Sequence, residues 1–476
     1  MPNQLRSVKH VVQLMLENRS FDQMLGFLYE KTGNKSPTGQ KFEGLTGNEF
    51  NEDDDGTKAK IFKIAADSKV HPYFMPGADP GEGFQNTNIQ LFSTDKPDPG
   101  ARPTNSGFVK NFKTAIAYDV SKHYRDSIPG TKASDIMGMY TPEMLPVMSA
   151  LARGFAVCDH WFASAPTQTL PNRAFAGAAT SLGFLSNKSA HFFPCPSIYG
   201  RLSDRKIDWA IFGYDHNPMT RLDFPDTKTA DEHHFGLFRD FRKRAAAGKL
   251  PAYSFLEPNW GASGNSQHPN YDVTLGERLI HDVYYALRNS PSWNDTLLLV
   301  TYDEHGGNYD HVPPPSGAVR PDNSLGEYDF DFTRFGVRVP ALLISPRIAA
   351  GTVFRAQKGT VDHTSVLKTL EMLWDLKPLT KRDEAAPDLG DALTLETPRD
   401  DDPLKGVTVP VSTATHPNLS VPSELEKIHA EKVSALAMPD IHGGFGRHTP
   451  PDLSSSAQIS DYIQTRTAAW KEHLRR

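Results

Sequence analysis

Apolar residues are spaced along this chain in two ways, and the alternation between them sets the fold class. Short, largely apolar runs occur at Val8–Leu16, Ala156–Cys158, Asp208–Gly213, Leu297–Thr301 and Gly336–Pro346. Such runs are short for helices, and a run without a polar face predicts a strand covered on both sides. Between them, apolar residues recur at helical spacing in Phe84–Phe92, Pro142–Phe155, Leu275–Arg288 and a segment ending at Trp374. Strands alternating with helices predict an α/β chain with a mostly parallel central sheet and helices on both faces.

Polar punctuation refines this outline. Ser20-Phe21-Asp22-Gln23 has the form of a capping box and starts a short helix after the first strand. Residues 34 to 60 are rich in Gly, Asn, Asp and Lys, carry the acidic run Glu52–Asp55, and read as a surface insertion. Asp79-Pro80-Gly81-Glu82-Gly83 is a tight turn. Thr169 suits an N-cap with Pro171 in the first turn, and the mostly small residues Ala174–Ala179 predict a tightly packed helix ending near Gly183. Val361–Ser365 caps the helix that runs to Trp374. From about Gly390 the chain is rich in Pro, Asp and Thr, with helical stretches at Glu424–Leu436 and Ile459–Leu474.

Composition then excludes several classes. A chain of 476 residues can bury a large core. Hydrophobic content is 38%, and no run approaches a membrane span. The net charge of −6, without a basic stripe, argues against a nucleic-acid partner. Cys158 and Cys195 exclude a disulfide framework and allow one bridge. No signal peptide precedes the first strand, so the expectation is a cytoplasmic protein, or a secreted one whose leader has been removed.

The candidate chemistry gathers where strands end. The run Leu297–Thr301 stops at Asp303, Glu304 and His305, turns at Gly306-Gly307, and continues into Asp310, His311 and a proline triplet. Ligands of open α/β sheets bind outside the carboxyl ends of the strands. A polar strand end with a glycine turn is the plain alternative, but five acid or imidazole groups between Asp303 and His311 favour a site. The first strand delivers Glu17 and Asn18 to the same sheet edge if the two strands are parallel. Hard oxygen ligands without thiolates suit Mg, Ca or Mn, and histidines can admit Zn. Thr169 reads equally as an ordinary cap or as a hydroxyl nucleophile at a helix N-terminus, where amides and dipole favour a phosphate. A lone loop histidine is usually a surface residue. His216, His268, His305 and His311, all at element ends, are harder to dismiss together, although some are structural. A cation beside a hydroxyl nucleophile and an imidazole acid is a set for phosphoryl chemistry.

Four motifs add a resemblance. Glu-Asn-Arg-Ser-Phe-Asp (17 to 22), Thr-Leu-Pro-Asn-Arg (169 to 173), Tyr-Asp-Glu-His-Gly-Gly-Asn-Tyr-Asp-His-Val-Pro (302 to 313) and Leu-Thr-Lys-Arg-Asp (379 to 383) resemble the phosphoesterase family. That family contains bacterial phospholipases C, plant non-specific phospholipases C and certain acid phosphatases, and the resemblance runs from about residue 8 to 385. It implies an alkaline-phosphatase-like α/β fold. By the same resemblance Glu17, Asn18, Asp303 and Glu304, with Thr169, would hold one divalent cation (Ca, Mg, Mn or Zn). Thr169 would be the nucleophile that forms a phospho-enzyme. His216 and His268 would contact phosphate or act as general acid, and Arg173, Glu82 and His305 would face the substrate. Family members commonly carry Asp-Pro-Gly-His where this chain has Glu82. The short C-terminus leaves no room for the extra β-domains of larger bacterial relatives.

The resemblance divides the chain into a phosphoesterase catalytic domain, residues 1–390, and a tail with helices, residues 391–476, packed on it. The expected activity is phospholipase C-type hydrolysis of glycerophospholipids to diacylglycerol and a phosphorylated head group. An acid phosphatase acting on monoesters comes second, and a non-catalytic lipid- or phosphate-binding relative third. The expected partners are a phospholipid or phosphate ester and, transiently, a membrane surface, with no nucleic acid and no transmembrane segment.

Overall fold

A computed structural model describes residues 3–66, 71–122, 127–188, 192–215, 217–261, 263–414, 421–436, 438–439, 445–446 and 453–474. Its centre is an eight-stranded sheet. In chain order the strands are β1 (His10–Leu16), β2 (Ala156–Val157), β3 (Trp209–Gly213), β4 (Phe235–Leu237), β5 (Tyr253–Leu256), β6 (Thr296–Tyr302), β7 (Ala341–Ile344) and β8 (Thr352–Val353). They lie side by side in the order β8-β2-β7-β6-β1-β5-β3-β4. Only β7 runs against its neighbours β6 and β2, and every other adjacent pair is parallel. The sheet is mostly parallel, as the alternating pattern predicts.

The helices include α1 (Phe21–Leu25), α2 (Phe84–Phe92), α3 (Phe108–Lys122), α4 (Pro146–Gly154), α5 (Thr169–Ala178), α6 (Phe238–Ala246), α7 (Val273–Arg288), α8 (Thr364–Trp374), α9 (Glu424–Ser434) and α10 (Ser456–Leu474). In one layer α7 packs on α4 and α6, and in the other α5 packs on α8 and on the helix Ile198–Asp204. Sandwiched between these layers, all of β6 is buried, and so is β1 apart from His10. This is the environment that an apolar run with no polar face requires.

The register of the two central strands positions the site. Leu16 pairs with Tyr302 in parallel, so Glu17-Asn18 and Asp303-Glu304 leave the sheet side by side. The fold corrects several expected boundaries. Helix α4 starts at Pro146, four residues after Pro142, with proline in its first turn. Within Gly336–Pro346 only Ala341–Ile344 is strand, because Pro340 and Pro346 cannot donate to a ladder. Helix α5 ends at Ala178, where Ala179 turns left-handed at φ 58, before Gly183 is reached. Within the stretch 34 to 60, Phe50–Glu52 pairs with Lys58–Lys60 as a short antiparallel ladder.

Both cysteines are free, so the allowed bridge does not form. Among the described residues no helix is long and apolar enough to cross a membrane. In the C-terminal segment, α9 places Leu425 and Ile428 in the main core. Helix α10 packs on α9 through Ile459, Ile463 and Trp470. Ser423 Oγ donates to the Trp260 carbonyl at 3.0 Å, and Lys432 forms a buried ion pair with Asp223.

Candidate active site

The site begins where β1 ends. Asn18 adopts φ 57, a left-handed conformation that asparagine tolerates better than most side chains. This turn points its amide N–H at Asp303 Oδ1 (2.9 Å), which also accepts from the Glu304 amide (2.8 Å). Gly306 completes the junction at φ 58, and a Cβ there would lie 2.2 Å from the Asn18 carbonyl oxygen. Glycine is thus required at 306 both by backbone conformation and by close approach.

Helix α5 supplies the hydroxyl. The expected cap at Thr169 is corrected by one position: Gln168 occupies the N-cap and Thr169 is the first helical residue. Its Oγ1 donates to Asn18 Oδ1 (3.1 Å) and does not cap an amide. The supply of free amides is also smaller than a bare helix start offers. Pro171 has none, and the Leu170 N–H donates to Asn187 Oδ1 (2.9 Å). Asn172 secures the preceding loop, accepting from the Ala165 amide and donating to the Ala165, Thr167 and Gln168 carbonyls. Arg173 reaches back to the sheet, pairing through Nε with Asp303 Oδ2 (2.9 Å) and through Nη2 with the Met15 and Leu16 carbonyls. Its guanidinium stacks 4.5 Å from the Trp260 ring centre, and its Nη1 is buried without a partner.

Glu82 joins this group from the 79–83 turn. It accepts from Asn18 Nδ2 and, at 3.1 Å, from Gln168 Nε2. Burial, with the charge of Glu424 adding to it, pushes its carboxyl up to about 8. Burial and the Asp303 charge likewise hold Glu17 well above the usual carboxylate range. Glu304 is raised by burial and then by Glu82 and Asp303. Glu17 Oε2 and Glu304 Oε1 are buried with no hydrogen-bond partner. Buried carboxylate oxygens without partners, under the charge of neighbouring acids, are unfavourable alone and are what a divalent cation would satisfy. The donor set, all oxygen, fits a hard cation, and Asp79, Glu82 and His268 form a further group with ligand atoms within 4.8 Å of one another.

The histidines separate by position. His268 is partly exposed, with Nδ1 at 2.9 Å from the Pro269 carbonyl and Nε2 at 3.8 Å from Asp79. Arg19 holds its loop by donating to the Gln267 and His268 carbonyls. His305 is turned away from the hydroxyl: its Nε2 meets Gln90 Oε1 at 2.7 Å and its ring lies edge-on to Phe108. Burial lowers its pKa to about 3. The structure thus places His305 in a buried position, with Nδ1 3.3 Å from Glu304 Oε2. His216 lies outside the described residues.

Ser20 does cap α1, accepting from the Gln23 amide at 3.2 Å, but the Gln23 side chain accepts from Arg19 Nη1 and leaves the box half-made. The segment 379 to 383 acts at a distance. Arg382 pairs with Asp362 through Nε (3.0 Å) and Nη2 (2.7 Å) and so fixes the start of α8. There His363 accepts the Trp161 indole N–H at Nδ1, which leaves Nε2 to donate to the Asp303 carbonyl (2.6 Å). Gln168, Asn187, His363 and Glu424 are the participants that sequence reasoning missed. Only His363, in the cap of α8, had a signal.

A family model described as the Phosphoesterase family matches residues 8–377. Non-specific phospholipase C6 of Arabidopsis thaliana is 37% identical over 432 residues, covering 86% of this chain and 77% of its own length. Non-specific phospholipase C1 of the same plant is 36% identical, covering 95% and 83%. Phospholipase C A of Mycobacterium tuberculosis is 27% identical, covering 88% and 81%. Among solved structures, a protein in the alkaline phosphatase superfamily from Vibrio parahaemolyticus aligns at a TM-score of 0.32 and 12% identity, covering 69% and 81%.

Proposed function

The chain belongs to the phosphoesterase family, and from that premise we propose that it is a phospholipase C-type phosphodiesterase. It cleaves glycerophospholipids such as phosphatidylcholine to diacylglycerol and a phosphorylated head group. The relatives named as phospholipases C support this reading along most of the chain. The observation that carries it is the contact of Thr169 Oγ1 with Asn18 Oδ1, in a cluster of acids in which Glu17 Oε2 and Glu304 Oε1 are buried without partners.

Glu17, Asn18, Asp303 and Glu304, with Thr169, would hold one divalent cation, which would polarise the phosphate and lower the pKa of the threonine hydroxyl. Asn18 orients the Thr169 oxygen, and the Asp303 side chain, accepting three hydrogen bonds, keeps Asn18, Glu304 and Arg173 in register. Thr169 gives up its hydroxyl proton to solvent as Oγ1 bonds to phosphorus, the bond to the diacylglycerol oxygen breaks, and an imidazolium protonates the leaving alkoxide. His268, at the rim with Nε2 facing the turn that carries Glu82, is one candidate donor, and His216 is the other by motif. Water then cleaves the phospho-threonine, releasing the phosphorylated head group and restoring the hydroxyl. Residues 1–390 form the catalytic unit in this reading, and the described residues after 390 pack on it through Leu425 and Ile428.

The test is a comparison of two substrates with Ca, Mg, Mn or Zn supplied in turn. Release of choline phosphate from phosphatidylcholine well above turnover of p-nitrophenyl phosphate is expected. Turnover of the monoester alone would establish the acid-phosphatase reading, and neither reaction would leave a non-catalytic binder.

A further inference from the structure

The side-chain amide of Asn18 is oriented by a chain of hydrogen bonds that starts at a backbone group. Reversing a primary amide exchanges a donor for an acceptor, so the neighbour that cannot exchange roles decides its orientation. Here that neighbour is the Asn187 backbone N–H, which donates to Gln168 Oε1 at 3.0 Å. The Asn187 side chain is committed as well. Its Oδ1 accepts from the Leu170 amide (2.9 Å) and its Nδ2 donates to Glu424 Oε2 (3.4 Å). The same contact accounts for the missing side-chain cap at Gln168, the N-cap of α5.

With its oxygen engaged, Gln168 presents Nε2 to the 79–83 turn, where Glu82 Oε1 accepts it at 3.1 Å. Glu82 Oε2 accepts from Asn18 Nδ2. Asn18 Oδ1 is thereby left facing Thr169, whose Oγ1 donates to it at 3.1 Å. Each link after the Asn187 amide follows from the one before. The turn itself is anchored from α2. Gln90 Nε2 donates to the Gly81 carbonyl (2.6 Å), and Thr87 Oγ1 donates to the Glu82 carbonyl (3.4 Å).

Position 82 therefore has to receive two donors, one on each side-chain oxygen. A carboxyl group has an acceptor for each. A glutamine would turn its own NH2 against one of them, and an imidazole has at most one acceptor nitrogen. The nucleophile feels the difference. With Oδ1 toward Thr169, Asn18 holds the hydroxyl hydrogen and leaves the Oγ1 lone pairs free for phosphorus. With the amide reversed, Nδ2 would donate to Oγ1 and occupy a lone pair of the attacking atom. Asn18 Oδ1 would then meet the Glu82 oxygen, acceptor against acceptor.

We propose that Glu82 is a positioning residue, which receives Gln168 and Asn18 together and so locks the Asn18 oxygen onto the Thr169 hydroxyl. It acts through Asn18, without a contact to the substrate. The assignment rests on the reading of Thr169 as nucleophile.

The experiment is a reciprocal swap. Glu82→Gln sets an NH2 against one of the two donors. Adding Gln168→Glu supplies two carboxyl oxygens at 168, one for the Asn187 amide and one for the new NH2 at 82, whose own amide oxygen is left for Asn18. On phosphatidylcholine with a divalent cation supplied, Glu82→Gln lowers kcat roughly tenfold, the size of one lost hydrogen bond, and changes KM less than about twofold. The double variant recovers kcat to within about threefold of the unmodified chain. In urea after chelation, the unfolding midpoint is higher for the double variant than for the single, against the trend set by its additional acid. A single variant as fast as the unmodified chain would overturn the proposal. So would a double variant no faster than the single, because a carboxyl that works by touching substrate or cation cannot be moved to 168. If the unmodified chain hydrolyses no phosphate ester, the nucleophile reading fails, and the order of the urea midpoints still decides whether Glu82 joins Gln168 to Asn18.

Discussion

Two acidic clusters emerge where the segments 17–22 and 302–313 meet, the second joined by Glu82, and they are balanced in opposite ways. In the first, Arg338 is wholly buried and pairs through Nη2 with Asp22 Oδ1 (2.8 Å) and through Nε with Asp310 Oδ1 (2.9 Å). His311 Nδ1 closes the group on Asp22 Oδ2 at 2.7 Å. Burial alone would raise Asp22, but the charges of His311 and Arg338 outweigh it and hold the carboxyl below its usual range. In the second, Glu17, Glu82, Asp303 and Glu304 have Arg173 bonded to one of them, and Glu17 and Glu304 keep unpaired oxygens. The residue types are nearly the same. What separates a structural cluster from a candidate site is whether the charge is already compensated within the chain.

The largest expected effect tests the uncompensated cluster. Thr169→Val stays folded by circular dichroism and loses about three orders of magnitude or more in turnover. An active variant would remove the hydroxyl from the chemistry and with it the contrast.

Stability should then respond with opposite sign in the two clusters. Asp22→Asn leaves Arg338 underpaired and costs about 3 kcal/mol or more in chemical denaturation. Glu304→Gln, measured in chelated protein, leaves stability unchanged or raises it by about 1 kcal/mol, because it removes one of several like charges. The same variant binds less divalent metal by mass spectrometry. If Glu304→Gln destabilised the chelated protein as much as Asp22→Asn, both clusters would be structural.

A pH series sharpens the first cluster. Burial lowers His311, but the Asp22 charge and hydrogen bond more than offset it, so its folded pKa lies above 6.5. Its contribution is fully present below about pH 6.5 and is lost as pH rises through the folded value. Unfolding midpoints between about pH 6.5 and about pH 9 should therefore fall further for the unmodified chain than for His311→Asn. Equal slopes would detach His311 from the network.

The smallest effect is that of Thr167→Val. Its Oγ1 donates to the Leu185 carbonyl at 2.5 Å, so the loss is about 1 kcal/mol of stability, with most activity kept. A collapse of activity would shift attention to the loop that precedes α5.

Much of this geometry was legible because unbroken apolar runs announce central strands. β1 and β6 were readable from Val8–Leu16 and Leu297–Thr301, and parallel pairing brings Glu17-Asn18 and Asp303-Glu304 to one edge. The reversed direction of β7 was not legible, since Ala341–Ile344 is equally apolar read either way. Nor was the partner of each acid. Asp22 meets Arg338 across more than three hundred residues, and Asn187 Nδ2 meets Glu424 Oε2 at 3.4 Å from the far end of the chain. Local sequence carries no trace of such distant pairings. The cap on α5 was misplaced by one residue because Thr169 commits its hydroxyl to Asn18.

Position 18 carries two unrelated demands at once. Its backbone must sit at φ 57, and its side chain must accept from Thr169 while donating to Glu82. Glycine meets the first demand alone, glutamine the second alone, and aspartate loses the donor at the moment it would face another acid. In a library randomised at this codon, survivors selected for turnover should be almost entirely asparagine. Those selected only for folding should include glycine and aspartate as well. The gap between the two sets of survivors would measure, at a single residue, how much of the alphabet function removes after the fold has made its own choice.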